Sequence, residues 1–322
     1  YYPRFAPFFT ILAVATYFLF KKPDRLLTNG LVIYSIITSL YLTVLPDWQS
    51  SDSVNMALIH LPLTTLALLG LCFVHHEWRE TEQCIAFIRF CGELLVLGTL
   101  ILISGGVLTA FALGLFELMD VDIGEWYLKN VGVIGMVSTP LIAAHIYDSI
   151  LKRKLYIAVL LAKIFSPLFC IFVFSYLTVM MVEGHNPFVN REFLVVFNGL
   201  LILILAIVIF SVTTRTRNSK INITDYVNIF LVSGTILINV LALSAITFRL
   251  FEYGITPNRF CVLGVNWIVF IHLIIIAIAY ARVISQQSDF DLLRKKVVGY
   301  LPVYCCWFIF VTYFLPLIFR FV

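Results

Sequence analysis

Three ionisable side chains lie inside long apolar runs of the sequence: Arg89, Glu93 and Lys163. Arg89 and Glu93 are four residues apart, so on a helix they share a face and can pair directly. Lys163 lies within the apolar run 155–182, where it can snorkel toward one end or pair with another buried group. A charged side chain at the centre of a bilayer costs roughly 2.5–3.5 kcal/mol, which makes such residues candidates for binding. We predict a contact between Lys163 and Glu93; the alternative is a self-contained Arg89–Glu93 pair with a snorkelling Lys163.

Three asparagines, Asn198, Asn239 and Asn266, occupy three apolar runs that follow one another along the chain. A side-chain amide in an apolar environment seeks a partner on a neighbouring helix, and each such bond contributes roughly 0.6–2 kcal/mol. We therefore include the three asparagines among the candidate intramembrane binding residues. The interpretation that we favour is that they hold helices together.

The stretch from Arg249 to Arg259 combines charges, aromatic rings and turn residues between two apolar runs. Gly254 suits the left-handed end of a helix, and Thr256 followed by proline is typical of a helix start. We expect Arg259 to fold back toward Glu252. The turn is either a capped interfacial loop with solvated charges or a ligand contact or docking surface. Its candidate residues, called here the outer-turn cluster, are Arg249, Glu252, Tyr253, Asn258 and Arg259.

Motifs of catalysis, of metal binding and of cofactor binding are missing from the sequence. It contains no GxSxG, no HExxH, no phosphate-binding GxxxxGK[ST] and no dinucleotide fingerprint. His75 and His76 are adjacent and lack the four-residue spacing of a helical zinc pair, and the seven cysteines match no zinc ribbon. We therefore assign no catalytic residue, no metal ligand and no cofactor. Whether the chain is an enzyme stays open, because intramembrane catalysis needs none of these motifs.

The composition indicates an integral membrane protein. Hydrophobic residues make up 61% and charged residues 12% of the 322 residues, against roughly 45–50% and 25% in soluble domains. Apolar runs of about the length that crosses a bilayer recur along the whole chain. We predict an all-α polytopic helical bundle that forms a single multi-pass domain over 1–322. Its ten expected spans are 5–20, 28–46, 55–74, 87–116, 131–149, 155–182, 193–213, 228–249, 260–282 and 297–319.

The distribution of basic residues predicts the orientation. Of the 22 lysines and arginines, fifteen lie at the ends reached after odd-numbered spans, six lie at the opposite ends, and Lys163 lies within a span. Since basic loops stay in the cytoplasm, we expect both ends of the given chain and the outer-turn cluster to lie outside. The segment 117–129 is expected to be an acidic outer surface segment, and 285–296 a short cytoplasmic helix.

A resemblance to a known family rests mainly on the sequence Arg-Leu-Phe-Glu-Tyr-Gly-Ile-Thr-Pro-Asn-Arg-Phe-Cys-Val-Leu-Gly over 249–264. Shorter matches are Asn-Arg-Glu-Phe at 190–193, Phe-Asn at 197–198, Glu-Leu-Leu from Glu93, and the glycine-rich run 105–116. Over about 78–282 the chain resembles bacterial membrane proteins grouped as domain of unknown function family 4153. The resemblance implies a many-helix protein of the bacterial inner membrane, and it brings no substrate, reaction or catalytic residue.

Three classes of function fit these observations. The first is a non-enzymatic sensor, scaffold or partner subunit that presents the outer-turn cluster. The second is a small-solute or ion transporter that works through Lys163, Glu93 and the asparagine-bearing helices, which requires a hydrated cavity at those residues. The third is a lipid-modifying intramembrane enzyme. The expected partners are the lipid bilayer and a protein partner or second copy of the chain, and nucleic acid is not expected.

Overall fold

The computed structural model describes residues 2–46, 51–117, 123–154, 156–183, 191–216 and 218–322. Within this part of the chain every regular element is helical, which confirms the all-α prediction. The helices in chain order are α1 (Tyr2–Lys21), α2 (Arg25–Val44), α3 (Asp52–Val74), α4 (Thr81–Glu117), α5 (Gly124–Ile150), α6 (Ile157–Glu183), α7 (Arg191–Thr213), α8 (Ile223–Tyr253), α9 (Pro257–Ile284), α10 (Phe290–Gly299) and α11 (Leu301–Ile309, continued by Phe310–Phe314 and Leu315–Ile318).

Helix length and composition bear out the multi-pass prediction. Among the described residues, nine stretches are long and apolar enough to cross a membrane, with α10 and α11 taken together as one of them. A tenth, the stretch Phe197–Thr213 of α7, is apolar but shorter. Large apolar side chains also cover the outside of α4, where Leu95 is 72% and Phe111 69% exposed. Surfaces of this kind suit lipid rather than water, so the chain is a multi-pass membrane protein of about ten helices.

Two local expectations have different outcomes. The predicted helix at 285–296 exists as α10, whose first turn is capped by Asp289, which accepts a hydrogen bond from the amide of Leu292 at 3.3 Å. The expected surface segment at 117–129 is wrong in its described part, because α5 already begins at Gly124. The ion pair of Glu125 and Lys129 joins the first turns of that helix. Residues 118–122 lie outside the described part.

Contacts divide the chain into two compact units. The first comprises Tyr1–Leu45 and Thr65–Ala158, and the second comprises Pro46–Thr64 and Val159–Val322. The core of the first unit is aromatic, with the ring of Phe90 packed on Phe18 and Phe73 at centroid distances of 5.2 and 5.1 Å. The core of the second is built from α7, α8, α9 and α10. A single domain over 1–322 stays a prediction.

At one end of the first unit the connections after α1, α3 and α5 meet. Asp148 bonds to Lys21 Nζ at 2.5 Å and to Arg153 Nε at 2.6 Å, and His75 contacts the carbonyl oxygen of Lys22 at 2.9 Å. Asp24 caps α2, and the hydrogen bond that it accepts from the Leu27 amide holds the pKa of its carboxyl below the ordinary value. These three connections belong to the set predicted to be basic and cytoplasmic.

A corresponding cluster in the second unit joins the ends of α7, α8 and α10. Arg215 binds both carboxylate oxygens of Asp225, with Nε–Oδ1 at 3.0 Å and Nη2–Oδ2 at 2.5 Å. Asp225 is fully buried and forms a capping box with Asn222 at the start of α8. The guanidinium of Arg215 also lies 5.2 Å from the ring centre of Phe290. The cluster fixes the connection between α7 and α8.

Candidate functional site

The structure brings the three predicted asparagines together between α7, α8 and α9. Asn266 donates a hydrogen bond through Nδ2 to Asn198 Oδ1 at 2.8 Å and to the carbonyl of Val262 at 2.8 Å. Asn239 donates to the backbone carbonyl of Asn266 at 3.3 Å. Asn239 and Asn266 are buried and Asn198 is half-buried. This geometry ties three helices together, as the favoured interpretation requires, while a binding role for the asparagines stays a prediction.

A second polar network, which sequence reasoning missed, is centred on Asn228. Its Nδ2 donates to Ser211 Oγ at 2.7 Å and to the Tyr280 hydroxyl at 3.0 Å, and its Oδ1 accepts from Ser166 Oγ at 2.5 Å. Both N–H groups and the oxygen of this buried amide thus have partners, and the bonds join α6, α7, α8 and α9. Asn228 is the first residue of the predicted span 228–249. Its place in the sequence gave no sign that it would be buried.

Glu93 is buried in the first unit and caps another helix. Only 1% of its surface is exposed, and Oε1 accepts a hydrogen bond from the backbone amide of Ala158, in the first turn of α6, at 2.9 Å. The positive end of a helix dipole favours a carboxylate at such a position. Its second oxygen, Oε2, is buried and has no hydrogen-bond partner among the residues that the structure describes. The Arg89 guanidinium lies 5.7 Å from the ring centre of Tyr156.

Lys163 is exposed on α6, so its long side chain is placed as a snorkelling lysine would be. Lys163 belongs to the second unit and Glu93 to the first, and the predicted contact between them stays a prediction. Two apolar grooves are lined by residues of the first unit and have volumes of about 530 and 420 Å³. The larger groove is lined by α1 and α2 and the smaller one mainly by α1, and neither lining includes Glu93 or Lys163.

The outer turn is capped as the sequence predicts, but Arg259 has other partners than expected. α8 ends at Tyr253, Gly254 adopts φ +77°, and Thr256 caps α9 by accepting from the Arg259 amide at 3.3 Å. Arg259 Nη1 donates to the carbonyls of Tyr253 and Gly254 at 2.7 and 2.8 Å. The expectation that it turns to Glu252 is therefore wrong, because the free carbonyls at the end of α8 lie within reach of the guanidinium.

In the rest of the outer-turn cluster, Glu252 and Tyr253 are exposed and Arg249 and Asn258 are half-buried. The guanidinium groups of Arg249 and Arg259 both lie over the ring of Tyr253, at 5.8 and 5.6 Å from its centre. Tyr253 is 61% exposed, Glu252 is exposed and Asn258 is half-buried. The exposed apolar side chains of the turn are Phe251 and Ile255. The outer turn thus presents the aromatic ring of Tyr253 with two guanidinium groups lying over it.

One further contact joins α3 to α9 in the second unit. His60 Nε2 lies 3.7 Å from Cys261 Sγ, and His60 Nδ1 lies 2.8 Å from the carbonyl oxygen of Met56. Cys261 is buried in a cluster with Val311 and Leu315, against which Met56 also packs. Sequence reasoning missed this pair because the two residues are separated by 201 positions and match no spaced motif.

Comparisons of the chain with protein-family models, with curated proteins and with solved structures find no match. The resemblance to family 4153 therefore depends on the residues quoted for it and stays a prediction.

Proposed function

We propose that the chain is a non-enzymatic component of a bacterial inner membrane, related to family 4153. In this proposal it serves as a sensor, scaffold or partner subunit and presents the outer-turn cluster to a protein partner on the periplasmic side of that membrane. The basic connections lie in the cytoplasm. The observation that carries the proposal is the construction of the outer turn.

The turn combines a rigid backbone with an exposed surface. The helix caps at Gly254 and Thr256 and the bonds from Arg259 to two carbonyls hold the turn in one conformation. A turn held in this way loses little conformational freedom when a partner binds, which favours affinity. Aromatic and arginine side chains are the types enriched at the energetic centres of protein interfaces. Phe251, at 83% exposure, and Tyr253 supply the aromatic contacts, and Arg249 and Arg259 supply the charge.

Two polar groups inside the second unit support a static bundle. The amides of Asn228 and Asn266 are engaged with side chains and carbonyls of neighbouring helices. Hydrogen-bonded amides of this kind stabilise helix association in a membrane. A group that already has its partners inside the protein is poorly placed to exchange them for a transported solute.

Photo-crosslinking in native membranes tests the proposal. A photoreactive amino acid replaces Phe251 in one variant and Leu237, which is 55% exposed in the middle of α8, in a matched control. We expect the Phe251 variant to give one discrete protein adduct that weakens on adding Arg259→Gln, while the Leu237 variant labels lipid. Lipid adducts alone at both positions would contradict the proposal.

Orientation is tested separately with a membrane-impermeant thiol reagent. In a background without native cysteines, Asn258→Cys is expected to react from outside the cell, and Lys152→Cys only after permeabilisation. Both side chains lie at helix ends, Asn258 half-buried and Lys152 exposed, so each is compared with its own labelling after permeabilisation. The reverse pattern would place the outer-turn cluster in the cytoplasm and remove the proposed partner.

A second candidate function, an ion transporter, is favoured by one observation, the partnerless Oε2 of the buried Glu93. A buried carboxylate inside a span is a typical element of a proton pathway. Proton flux through the protein is measured in proteoliposomes that contain a pH-sensitive dye. Proton flux that is lost in Glu93→Gln and kept in the exposed control Glu80→Gln would favour transport over the scaffold.

A further inference from the structure

The tautomer of His60 is fixed by its neighbour. A carbonyl oxygen can only accept a hydrogen bond, so the contact of 2.8 Å to Met56 places a proton on His60 Nδ1. The lone pair is then on Nε2, which lies 3.7 Å from Cys261 Sγ. A histidine that donates its other ring N–H to a backbone carbonyl is the usual arrangement of a metal ligand. The thiol and the imidazole thus form an oriented sulfur and nitrogen donor pair.

The distance between the two donors fits a shared ion. Zinc sites have metal–sulfur bonds of about 2.3 Å and metal–nitrogen bonds of about 2.0–2.1 Å. With those lengths, ligand angles between 109° and 120° separate sulfur and nitrogen by about 3.5–3.8 Å. The observed separation of 3.7 Å lies in this interval, so an ion can bind with little movement of either helix.

Met56 completes a set of soft ligands. It is four residues before His60 on α3 and so lies on the same helix face, and it packs against the cluster that contains Cys261. Thiolate, thioether and imidazole are ligands that select Cu(I). When Cys261 loses its proton, the three ligands together carry one negative charge, which a monovalent cation neutralises. A divalent ion would leave one positive charge buried, which is costly.

We propose that Met56, His60 and Cys261 bind one Cu(I) ion, an assignment that is independent of the proposed scaffold function. Binding exchanges the ion for the thiol proton, so one proton is released to solvent for each ion bound, with no change of oxidation state. Cys261 is four residues after Pro257, the first residue of α9, and therefore lies about 6 Å along the axis from the helix end that carries the outer turn. The ion would enter from that end.

The test uses the full chain in detergent under anaerobic conditions, titrated with Cu(I) against a chromophoric Cu(I) chelator. We expect one tight site per chain. Its affinity for Cu(I) should fall by at least about 100-fold in Cys261→Ser and in His60→Gln. Substituting a residue that only supports a metal ligand typically lowers metal affinity by roughly 10–100-fold, and losing the ligand itself should cost at least as much. Cys306→Ser, which removes an exposed thiol, is the matched control and should keep the tight site. Wild-type affinity in both ligand variants would overturn the proposal.

If a ligand variant fails to fold, spectroscopy on the wild-type protein still tests the proposed site. X-ray absorption of the Cu(I) form should require one nitrogen and two sulfur ligands, and Met56→Leu should reduce the sulfur count to one. A spectrum fitted by sulfur alone would show binding at other cysteines and overturn the site. Zn²⁺ should bind more weakly than Cu(I) in the same assay, and equal affinity would refute the charge argument.

Discussion

The contact of Gly264 on α9 with Trp307 of α11 gives a prediction with a clear sign. Gly264 faces the indole of Trp307, and a Cβ added at this glycine would lie 2.0 Å from Trp307 Cη2 and 2.5 Å from Cζ2. Carbon atoms without a bond between them do not approach so closely. Gly264→Ala therefore cannot be accommodated unless the indole or one of the two helices moves.

The magnitude follows from two opposing effects. Replacing glycine by alanine in an unobstructed helix stabilises it by about 0.5–1 kcal/mol. Forcing an extra carbon into a packed interior costs typically about 1–3 kcal/mol, and the half-buried indole of Trp307 must move to admit it. We expect a net loss of about 1 kcal/mol, or about 2–4 °C in the unfolding midpoint.

The assay is thermal unfolding of the purified protein in detergent. The measured quantity is the fraction of protein that stays monodisperse at each temperature. Gly199→Ala is the matched control, because a Cβ there meets nothing within 4 Å, and its midpoint should stay level or rise. Adding Trp307→Phe to Gly264→Ala replaces the clashing indole by a smaller phenyl ring, so the double variant should be less destabilised than the sum of the two single changes. A Gly264→Ala protein as stable as the Gly199→Ala control would refute the packing of α9 on α11 described above.

Three further changes test the polar contacts by the same unfolding assay. Asn266→Leu should lower the free energy of unfolding by about 1–2 kcal/mol because it removes an interhelical donor, and an unchanged midpoint would contradict this. Arg215→Gln should cost about 3–5 kcal/mol because it leaves the carboxylate of Asp225 buried without its charge partner, and a surface-like loss below 1 kcal/mol would contradict this. The lowered pKa of Asp24 implies stability that is present at neutral pH and lost as pH falls through that pKa. The midpoint difference between wild type and Asp24→Asn should therefore shrink on acidification, and a constant difference would exclude the charge of Asp24 as its cause.

Helix positions and helix ends could be predicted from the sequence because local residues determine them. The apolar runs gave the helices, since each must satisfy its own backbone hydrogen bonds in lipid. Gly254 and Thr256 marked the end of α8 and the start of α9, and both caps are present. The start of α5 was placed too late, at 131 instead of Gly124, because Glu125 and Lys129 made its first turns look like a loop.

Side-chain partners could not be predicted, because they depend on which helix faces lie against each other. The asparagines at 198, 239 and 266 were recognised as polar groups in need of partners, but their pairing through Asn266 follows only from the packing of α7, α8 and α9. Asn228 and His60 were not singled out, although each is hydrogen-bonded across or along helices. Apolar periodicity gives little help here, since a membrane helix is apolar on all sides.

The distinctive residues at the start of α9 each have a packing explanation. Arg259 closes the end of α8, Cys261 meets His60 of α3, and Gly264 admits the indole of Trp307 from α11. Further along, Asn266 joins α9 to α7.

The inner part of α9 follows the same pattern. His272 contacts the Tyr304 hydroxyl of α11 at 3.0 Å, and Tyr280 accepts from Asn228 of α8. One helix thus supplies specific contacts to α3, α7, α8 and α11. A substitution at any of these positions is expected to act first on folding, so only measurements on folded variants can separate the proposed binding of Cu(I) at Cys261 from the structural role of the helix that carries it.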